Sequence, residues 1–412
     1  MLRSYLKLAW KVLGRRKFFT FVSLFGVGFT LMVLVVSVAI LDHALGVHPP
    51  EVHQARMLTV HHVRMSGNNS SSGANVGERF VTDFLKDVPG VERISYYTNA
   101  GDLKSQWRSS SYAVKRTDGN FWKILHFDFL EGGPFGEDDV RARRRVAVIT
   151  RSTRDRYFTG AKALGKTMEV EGQHYRVVGV VDDVSALRGV AFADIWAPLS
   201  TARGTPPRPE LLGGGSAILL LRDRAAIPAA KQAIQERLGR WPSPDPRQWT
   251  RLEAPVDTRF EEIAREIFGD EADNVDHSAK LWALLVALAA CFMLLPTVNL
   301  VNLNVSRILE RASEIGVRKS FGATGRTLVG QFLVENMVLT LLGAMLGLVL
   351  AVFVLDALSH SALLPHAELR LNLRVLALVT LLSVIFGVLS GVYPAWRMSR
   401  LHPVFALKGG ER

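Results

Sequence analysis

Four long stretches of this 412-residue chain contain no Asp, Glu, Lys or Arg, and they limit what the chain can fold into. The stretches are residues 18–41, 281–305, 336–355 and 375–396. A helix rises about 1.5 Å per residue, so a run of about 20 apolar residues can cross the hydrocarbon core of a bilayer. The pattern therefore predicts four transmembrane helices, with both chain ends on the same side.

The first stretch, residues 18–41, has basic residues before it, as a cleaved signal peptide would. The apolar core of a secretory signal spans only about 7 to 15 residues, so the greater length here favours an uncleaved anchor. Residues 1–17 ahead of it carry an apolar stripe at helical spacing, which predicts an amphipathic helix in the lipid headgroups. The stripe consists of Leu2, Leu6, Trp10 and Leu13. A plain basic flank is the alternative, and it would not need this stripe.

The net charge of +12 and the pI near 10.0 invite a nucleic-acid function, but the charge is unevenly spread. The long segment 43–280 has a net charge of only +2, whereas three short segments together have +11. Those short segments are residues 1–17, 306–335 and 397–412. Because basic residues mark the cytoplasmic side of a membrane, both termini are predicted in the cytoplasm and the long segment outside. No nucleic-acid partner is expected.

The predicted outer domain, residues 43–278, is long enough to have its own core and two subdomains. The single cysteine, Cys291, lies in the second stretch, so this domain has no intrachain disulfide. Apolar alternation and β-branched runs predict an α+β fold. Strands are predicted at residues 57–63, 146–150 and 175–181, helices at 80–87, 226–238 and 260–268, and a polar loop at 66–77.

Residues 160–167, Gly-Ala-Lys-Ala-Leu-Gly-Lys-Thr, match the phosphate-loop pattern G-x-x-x-x-G-K-[ST] letter for letter. A phosphate loop needs a strand before it and a helix after it, so that backbone N–H groups surround the phosphates. Residues 168–178 instead alternate like a hairpin with its turn at Gly172-Gln173. The context favours a glycine turn entering a strand over ATP binding.

No residues with catalytic or metal-binding spacing stand out in the predicted outer domain. His43, His48 and His53 flank two prolines without nearby cysteine or acidic clusters. His61 and His62 would point to opposite faces of a strand. We therefore expect packed or solvated histidines, no metal, no cofactor and no enzymatic activity in this chain.

The linker between the second and third stretches is dense in charge and faces the cytoplasm in this topology. Glu314 lies one helical turn from Glu310 and one turn from Arg318, so a helix would be supported by charge pairing. Gly322 can end this helix in the left-handed conformation. A solvated loop held by the phosphates of membrane lipids is the alternative. A mixed-charge helix between two spans is a surface that a soluble partner can bind.

Several motifs resemble the permeases of the MacB/FtsX family of ABC transporters. The most specific is the linker, residues 307–323, continued by residues 331–336, Gln-Phe-Leu-Val-Glu-Asn. Residues 393–397, Tyr-Pro-Ala-Trp-Arg, resemble the C-terminal signature of the family. Residues 121–122, 130–135, 146–150, 165–167 and 177–180 resemble its MacB-like core domain. The resemblance covers nearly the whole chain.

The resemblance implies a dimer of permeases, identical or related, in the bacterial cytoplasmic (inner) membrane. Each permease would dock a coupling helix onto an ABC-type ATPase, which uses ATP and Mg. We expect that motor to be a separate chain, and a periplasmic adaptor or membrane-fusion protein is a further partner to consider. The residues at the coupling-helix position are Glu310, Arg311, Glu314, Ile315, Gly316, Arg318, Lys319, Gly322 and Ala323.

Export or efflux by mechanical transmission is the function that the resemblance implies. The main alternative is an FtsX-like regulator that activates an outer partner, such as a cell-wall hydrolase, and transports nothing. A membrane-bound enzyme is disfavoured because no catalytic set is visible.

Polar and small residues within the stretches predict how the helices pack. Asn299 and Asn302 need hydrogen-bond partners, which neighbouring helices can supply. Pro296 would kink the second span, either as a hinge or as a static kink. Gly343 and Gly347 form a G-x-x-x-G in the third span, which predicts a close helix contact.

The fold predicted from these patterns is an α-helical membrane domain with four transmembrane helices and a large α+β extracytoplasmic domain inserted between helices 1 and 2. The transmembrane helices are placed at residues 18–42, 279–305, 327–356 and 374–397. The remaining segments are the amphipathic helix at 1–17, the outer domain at 43–278, the coupling-helix loop at 306–326, the short outer loop at 357–373 and the cytoplasmic tail at 398–412.

The topology predicts which positions a membrane-impermeant maleimide can reach. In a Cys291→Ser background, Glu314→Cys should be labelled only after spheroplasts are lysed, because the linker faces the cytoplasm. The control Ser70→Cys, in the predicted outer domain, should be labelled in intact spheroplasts. Labelling of position 314 from outside would overturn the topology, and the docking of an ATPase with it.

Overall fold

The computed structural model of the chain contains two compact units. It describes residues 17–399 except 68–69, 99–103, 108–109, 203–209, 270–273, 311–316, 318–323, 362–365, 367–370 and 372. The helical unit comprises Met1–Asp42, Ala283–Ser361 and Leu369–Arg412. The sheet domain comprises His43–Trp282 and Ala362–Glu368.

The elements of the described residues are numbered here in chain order. The helices are α1 (Lys17–Leu45), α2 (Glu78–Phe80, continued by a π turn over Val81–Leu85), α3 (Phe121–Ile124), α4 (Glu137–Arg141), α5 (Arg151–Phe158), α6 (Ile227–Gly239), α7 (Arg259–Phe268), α8 (Ser278–Glu310), α9 (Gly325–Ser359) and α10 (Leu373–Ser399). The strands are β1 (Met57–Val60), β2 (His62–Ser66), β3 (Ser71–Val76), β4 (Val91–Thr98), β5 (Lys104–Trp107), β6 (Ser110–Thr117), β7 (Phe129–Gly132), β8 (Val146–Thr150), β9 (Thr167–Val170), β10 (Gln173–Val181), β11 (Ile195–Pro198), β12 (Leu212–Gly213), β13 (Gly215–Leu221) and β14 (Arg251–Glu253).

Long apolar helices fall on all four uncharged stretches. Among the described residues, three helical segments are long and apolar enough to cross a membrane: Thr20–Leu45, Val329–Ser359 and Val375–Val392. The second stretch lies in α8, which has 33 residues and whose described apolar part is Ser278–Leu294. The presence of apolar helices is confirmed, while the number that span a membrane stays a prediction.

Glycines let α1 and α9 approach closely in the helical unit. A Cβ atom built on Gly347 would lie 2.6 Å from the carbonyl oxygen of Gly28, and one on Gly343 would lie 2.7 Å from Cγ1 of Val27. Neither position has room for a side chain. The two glycines of the G-x-x-x-G motif therefore lie against α1, with Gly28 on the facing helix.

A buried amide joins α9 to α10. Asn336 Nδ2 donates to the carbonyl oxygen of Gly387 at 2.7 Å and to Ser390 Oγ at 2.9 Å. All polar groups of such an amide need partners in apolar surroundings, so these bonds fix the helices in register as well as in contact.

The strands of the sheet domain form one hydrogen-bonded network in the order β14-β2-β3-β13-β4-β6-β11-β8-β10-β7. Strand β1 adds to β13, β12 to β3, β5 to β6 and β9 to β10. The pairs β6–β11 and β8–β10 are parallel, and the other described pairs are antiparallel. Among the described residues, β4 and β6 pair only at Tyr97 and Thr117, so the sheet is narrow at that point.

Apolar cores pack against this sheet, and one of them extends across the narrow point. Phe80 and Ile234, from α2 and α6, belong to a core that packs on β1 and β13. A second core contains Trp196 and Val148 together with Tyr97 of β4 and Ile218 of β13, so it includes strands from both sides of the narrow pairing. Every residue of β8 and of β13 is buried, and apolar runs at residues 146–149 and 217–221 make up most of the two strands.

The prediction of a polar loop over residues 66–77 is wrong. Ser71–Val76 is strand β3, which pairs antiparallel with β2 from Ser66 opposite Ser71 to His62 opposite Asn75. Backbone hydrogen bonds can hold a strand whose exposed side chains are small and polar, so its composition resembles that of a loop. The strand 146–150 and the helix 260–268 are confirmed by β8 and α7. The hairpin after residue 167 is also confirmed, with its turn one residue earlier, at Glu171 and Gly172.

The close approach of α1 and α9 predicts a selective effect of substitution. Gly347→Leu should lower the thermal stability of the detergent-solubilised protein, because overpacking typically costs about 1 to 3 kcal/mol. Gly330→Leu in the same helix is the control, since a Cβ there meets no described atom within 4 Å. Equal melting temperatures for the two variants would contradict this packing.

Candidate functional site

The predicted coupling residues lie almost entirely outside the described residues. Glu310 is the last residue of α8, and its side chain is not described. Arg311, Glu314, Ile315, Gly316, Arg318, Lys319, Gly322 and Ala323 lie outside the described residues. On the far side of the linker, Thr324 caps α9, and its hydroxyl accepts a hydrogen bond from Thr327 N at 3.3 Å. The coupling surface itself stays a prediction.

The polar residues predicted in the second span lie in α8. The backbone of Pro296, Asn299 and Asn302 is helical, within the uninterrupted range Ser278–Glu310. Their side chains are outside the described part of the structure. The pairing of the asparagines and the role of Pro296 as a hinge therefore stay predictions.

The phosphate-loop match does not form a phosphate site. Helix α5 precedes residues 160–167 and strand β9 follows, which is the reverse of the order that the motif requires. The backbone N–H groups of Ala163 and Leu164 donate to Glu131 Oε2 at 3.3 and 3.4 Å. Arg154 pairs with the other oxygen of this carboxylate at 3.1 Å. The loop thus binds a carboxylate of its own chain, and the prediction of a glycine turn entering a strand is confirmed.

Buried ionisable side chains concentrate between β1, β2 and α7 in the sheet domain. His61 Nε2 lies 3.1 Å from Glu262 Oε1, and its Nδ1 lies 2.9 Å from Ser216 Oγ. Arg259 Nη1 donates to the same Glu262 oxygen at 2.9 Å. His61 follows β1, and Glu262 lies one turn into α7, so the contact joins the helix to the sheet.

The environment of this cluster favours its charged forms. Burial by itself would lower the pKa of His61, but the charge and hydrogen bond of Glu262 outweigh it and raise that pKa above its ordinary value. Burial would raise the pKa of Glu262, but His61 and Arg259 outweigh it and hold that pKa at about 2. Glu262 is therefore a carboxylate that His61 and Arg259 stabilise in its charged form.

Lys115 of β6 is a fully buried lysine close to the narrow point of the sheet. Its Nζ donates to the carbonyl oxygens of Gly189, at 2.9 Å, and Val190, and it lies 4.7 Å from the centre of the Tyr97 ring. Burial lowers the pKa of Lys115 to about 7, although the charges of Glu51 and Glu262 oppose this shift. Lys115 was not predicted from the sequence, because the pair Lys115-Arg116 looks there like any solvent-exposed basic pair.

The described histidines do not form a metal site. His43 and His48 stack with ring centroids 5.7 Å apart, and His53 meets His126 edge to face at 4.9 Å. Within the described residues, no group of three or more His, Cys, Asp or Glu side chains could hold a metal ion.

The folded units match two known families of transporter domains. The sequence model of the MacB-like periplasmic core domain matches residues 20–237, more than half of the chain, so the chain belongs to this family. The FtsX-like permease C-terminal model matches residues 286–403, which include α9 and α10. The chain is thus a permease component of the MacB/FtsX type of ABC transporter, a membrane protein with a large outer domain. The family resemblance predicted from the motifs is confirmed.

Curated relatives agree with this assignment at low identity. A macrolide export ATP-binding/permease protein MacB from Bdellovibrio bacteriovorus is 26% identical over 367 residues, covering 85% of this chain and 53% of that protein. MacB of Escherichia coli is 24% identical over 420 residues, covering 98% and 60%. The uncharacterized ABC transporter permease YknZ of Bacillus subtilis is 23% identical over 344 residues, covering 82% and 81%. The chain spans little more than half the length of these MacB relatives.

Two solved domains are similar to part of the chain. The periplasmic region of MacB from Actinobacillus actinomycetemcomitans has 17% identity and a TM-score of 0.37, covering 52% of this chain and 92% of that one. The extracellular domain of YknZ has 16% identity and a TM-score of 0.34, covering 44% and 93%. Both scores are low, so no detail of either domain is transferred to this chain.

The lowered pKa of Lys115 predicts a pH-dependent stability. Between about pH 7 and pH 10.5 the unfolded chain binds a proton at this lysine and the folded chain does not, so stability should rise with pH. Lys115→Met should remove this contribution, whose slope approaches about 1.4 kcal/mol per pH unit. Urea unfolding of a fragment spanning residues 43–282, followed by tryptophan fluorescence, measures it.

The matched control for this measurement is Lys123→Met, which changes an exposed lysine of α3. The control should keep the pH slope of the unsubstituted fragment. If Lys115→Met also kept that slope, Lys115 would be charged in the folded domain at pH 9, against the environment described here.

Proposed function

We propose that this chain is the permease subunit of an ABC exporter, which passes the motion of a separate ATPase chain through four transmembrane helices to the sheet domain. In this proposal the permease works as a dimer and the sheet domain moves substrate, or an adaptor, on the outer side. The chain itself is non-catalytic, and ATP and Mg are used by the ATPase.

The observation that carries the proposal is the position of the charged linker within the FtsX-like region. That region spans residues 286–403, and the linker lies between the long helices α8 and α9. A charged segment between two membrane helices can pass to both of them a displacement produced by a soluble motor that binds it. Glu314 and Arg318 are the residues we assign to the contact with the ATPase.

The distribution of charge supports the orientation. The segments that flank the helices on one side have a net charge of +11, and the segment that contains the sheet domain has a net charge of +2. By the positive-inside rule, the termini and the linker face the cytoplasm and the sheet domain faces outward.

In the sheet domain, described ionisable side chains bind one another, which supports a domain that is moved rather than a catalyst. Its described ionisable clusters are paired internally, as for Glu262 with His61 and Arg259. Its described residues hold no metal-binding cluster. These features support a non-enzymatic permease, and the substrate is left open by them.

Charge reversal in the linker tests the proposal. In the reconstituted complex with the co-purifying ATPase, Glu314→Arg and Arg318→Glu should each reduce ATP-driven transport at least about tenfold, since both the helix and its partner lose an ion pair. The double variant restores the pair within the helix but reverses the surface that the partner meets. It should therefore remain uncoupled.

The control is the same reversal in the short loop between α9 and α10, Glu368→Arg with Arg370→Glu, which should leave transport unchanged. Recovery of transport in the double linker variant would show that the pair only stabilises the helix. Motion of the sheet domain driven by ATP without transport into vesicles would instead favour an FtsX-like regulator.

A further inference from the structure

The loop between β10 and β11 contains a buried arginine that reaches into a distant part of the chain. We name residues 187–191 (Leu-Arg-Gly-Val-Ala) the arginine loop. Arg188 is 1% exposed, which is rare for an arginine and requires that its donors have partners. Its partners lie in residues 43–54, the leading segment, which begins with the last three residues of α1 and continues beyond it.

Arg188 binds the leading segment through one fork of its guanidinium group. Nη1 donates to Gly46 O at 3.0 Å, to Gln54 Oε1 at 3.2 Å and to Glu51 Oε2 at 3.4 Å, while Nη2 donates to His43 O. The other oxygen of Glu51 accepts the backbone N–H of Ala191 at 3.2 Å. The leading segment and the arginine loop are thus joined in both directions.

The arginine loop is also bound from α7, which precedes α8 in the chain. Arg259 Nη2 donates to the carbonyl oxygen of Leu187 at 3.3 Å. Its Nη1 is held by Glu262, which His61 contacts in turn. The leading segment and helix α7 are thus both bound to the arginine loop.

The sheet holds the same loop from a third side. Lys115 Nζ donates to the carbonyl oxygens of Gly189 and Val190. Lys115 belongs to β6, which lies in the middle of the strand order, at the narrow pairing with β4. Two basic side chains, Lys115 and Arg259, thus bind the backbone of the arginine loop, while Arg188 extends from the loop to the leading segment.

Stability alone does not account for this arrangement. Buried ion pairs are often no more stabilising than apolar side chains of similar volume, because desolvation offsets their attraction. What they add is direction, since a guanidinium fork fixes the angles and distances of all its acceptors at once. A set of directional bonds is suited to holding segments in one relative position.

We propose that the arginine loop is a joint that makes the leading segment, helix α7 and strand β6 move as one body, and that Arg188 is its positioning residue. A displacement of α1 or α8 would then reach the strands without being absorbed by bending of the connecting segments. This role in transmitting motion rests on the proposed function. The joint itself is a property of the sheet domain, and it can be tested without ATP.

Hydrogen–deuterium exchange of the full chain in detergent tests the joint. Arg188→Met should speed exchange at least about tenfold in residues 43–56 and also in residues 259–268, which Arg188 does not touch. Arg259→Gln should do the same in residues 43–56, because coupling between two sites is reciprocal. Residues 146–150 and 173–181, in β8 and β10, should keep their protection in both variants.

The control is Arg145→Met, which removes an exposed arginine just before β8 and should change neither segment. The joint would be contradicted if Arg188→Met speeded exchange only in residues 43–56, or if Arg259→Gln speeded it only in residues 259–268. If Arg188→Met loses protection throughout the sheet domain, Arg188→Lys, which keeps the charge but not the fork, decides the question. Faster exchange in both residues 43–56 and residues 259–268 of a folded Arg188→Lys domain supports the joint, and its absence contradicts the joint.

The proposed function is tested separately in the complex with the ATPase. If Arg188→Lys speeds exchange in both segments and ATP-driven transport is unchanged, the joint is present and the proposal that motion passes through it is contradicted. If transport also falls, while Arg145→Met keeps its activity, both the joint and the transmission are supported.

Discussion

The pairing of buried charge is the constraint on which the sheet domain depends. With a single cysteine in the chain, no intrachain disulfide can hold it together, and its sheet is narrow where β4 and β6 pair. Arg188, Lys115 and the pair of His61 with Glu262 lie around that region and bind backbone or carboxylate groups of other elements. Burying these groups is favourable only if every partner is in place, so the network selects one arrangement of the two sides.

In the helical unit, too, a few specific contacts determine how the elements pack. Its helices cannot gain from hiding apolar surface from water, so they associate through close packing and a few hydrogen bonds. Gly28 and Gly347 supply the first, and the amide of Asn336 supplies the second. Backbone approach at glycine and the buried amide of Asn336 are thus specific contacts between the described helices.

Local pattern predicted much of the fold and only part of the candidate site. The apolar run of β8 and the amphipathic α7 were predicted because burial on both faces or on one face leaves a periodic trace. Strand β3 was missed because its hydrogen bonds to β2 are invisible in a composition of Ser, Gly and Asn. The family was recognised from the linker motif, yet the coupling role of Glu314 and Arg318 stays a prediction, because the partner that would define it is another molecule.

What the sequence by itself determined is the division into uncharged helices and a large segment between the first two of them, together with the charge asymmetry from which their orientation is predicted. Both features are obtained by counting apolar and charged residues along the chain, which needs no knowledge of the fold. The tertiary structure alone decided which charges are buried and what they bind. The hydrogen bond from Arg188 Nη2 to the carbonyl oxygen of His43 joins residues 145 positions apart, and the fully buried Lys115 looks like any surface lysine in the sequence. The reason is physical: burial and pairing are properties of surroundings, and distant segments supply those surroundings only after the chain has folded.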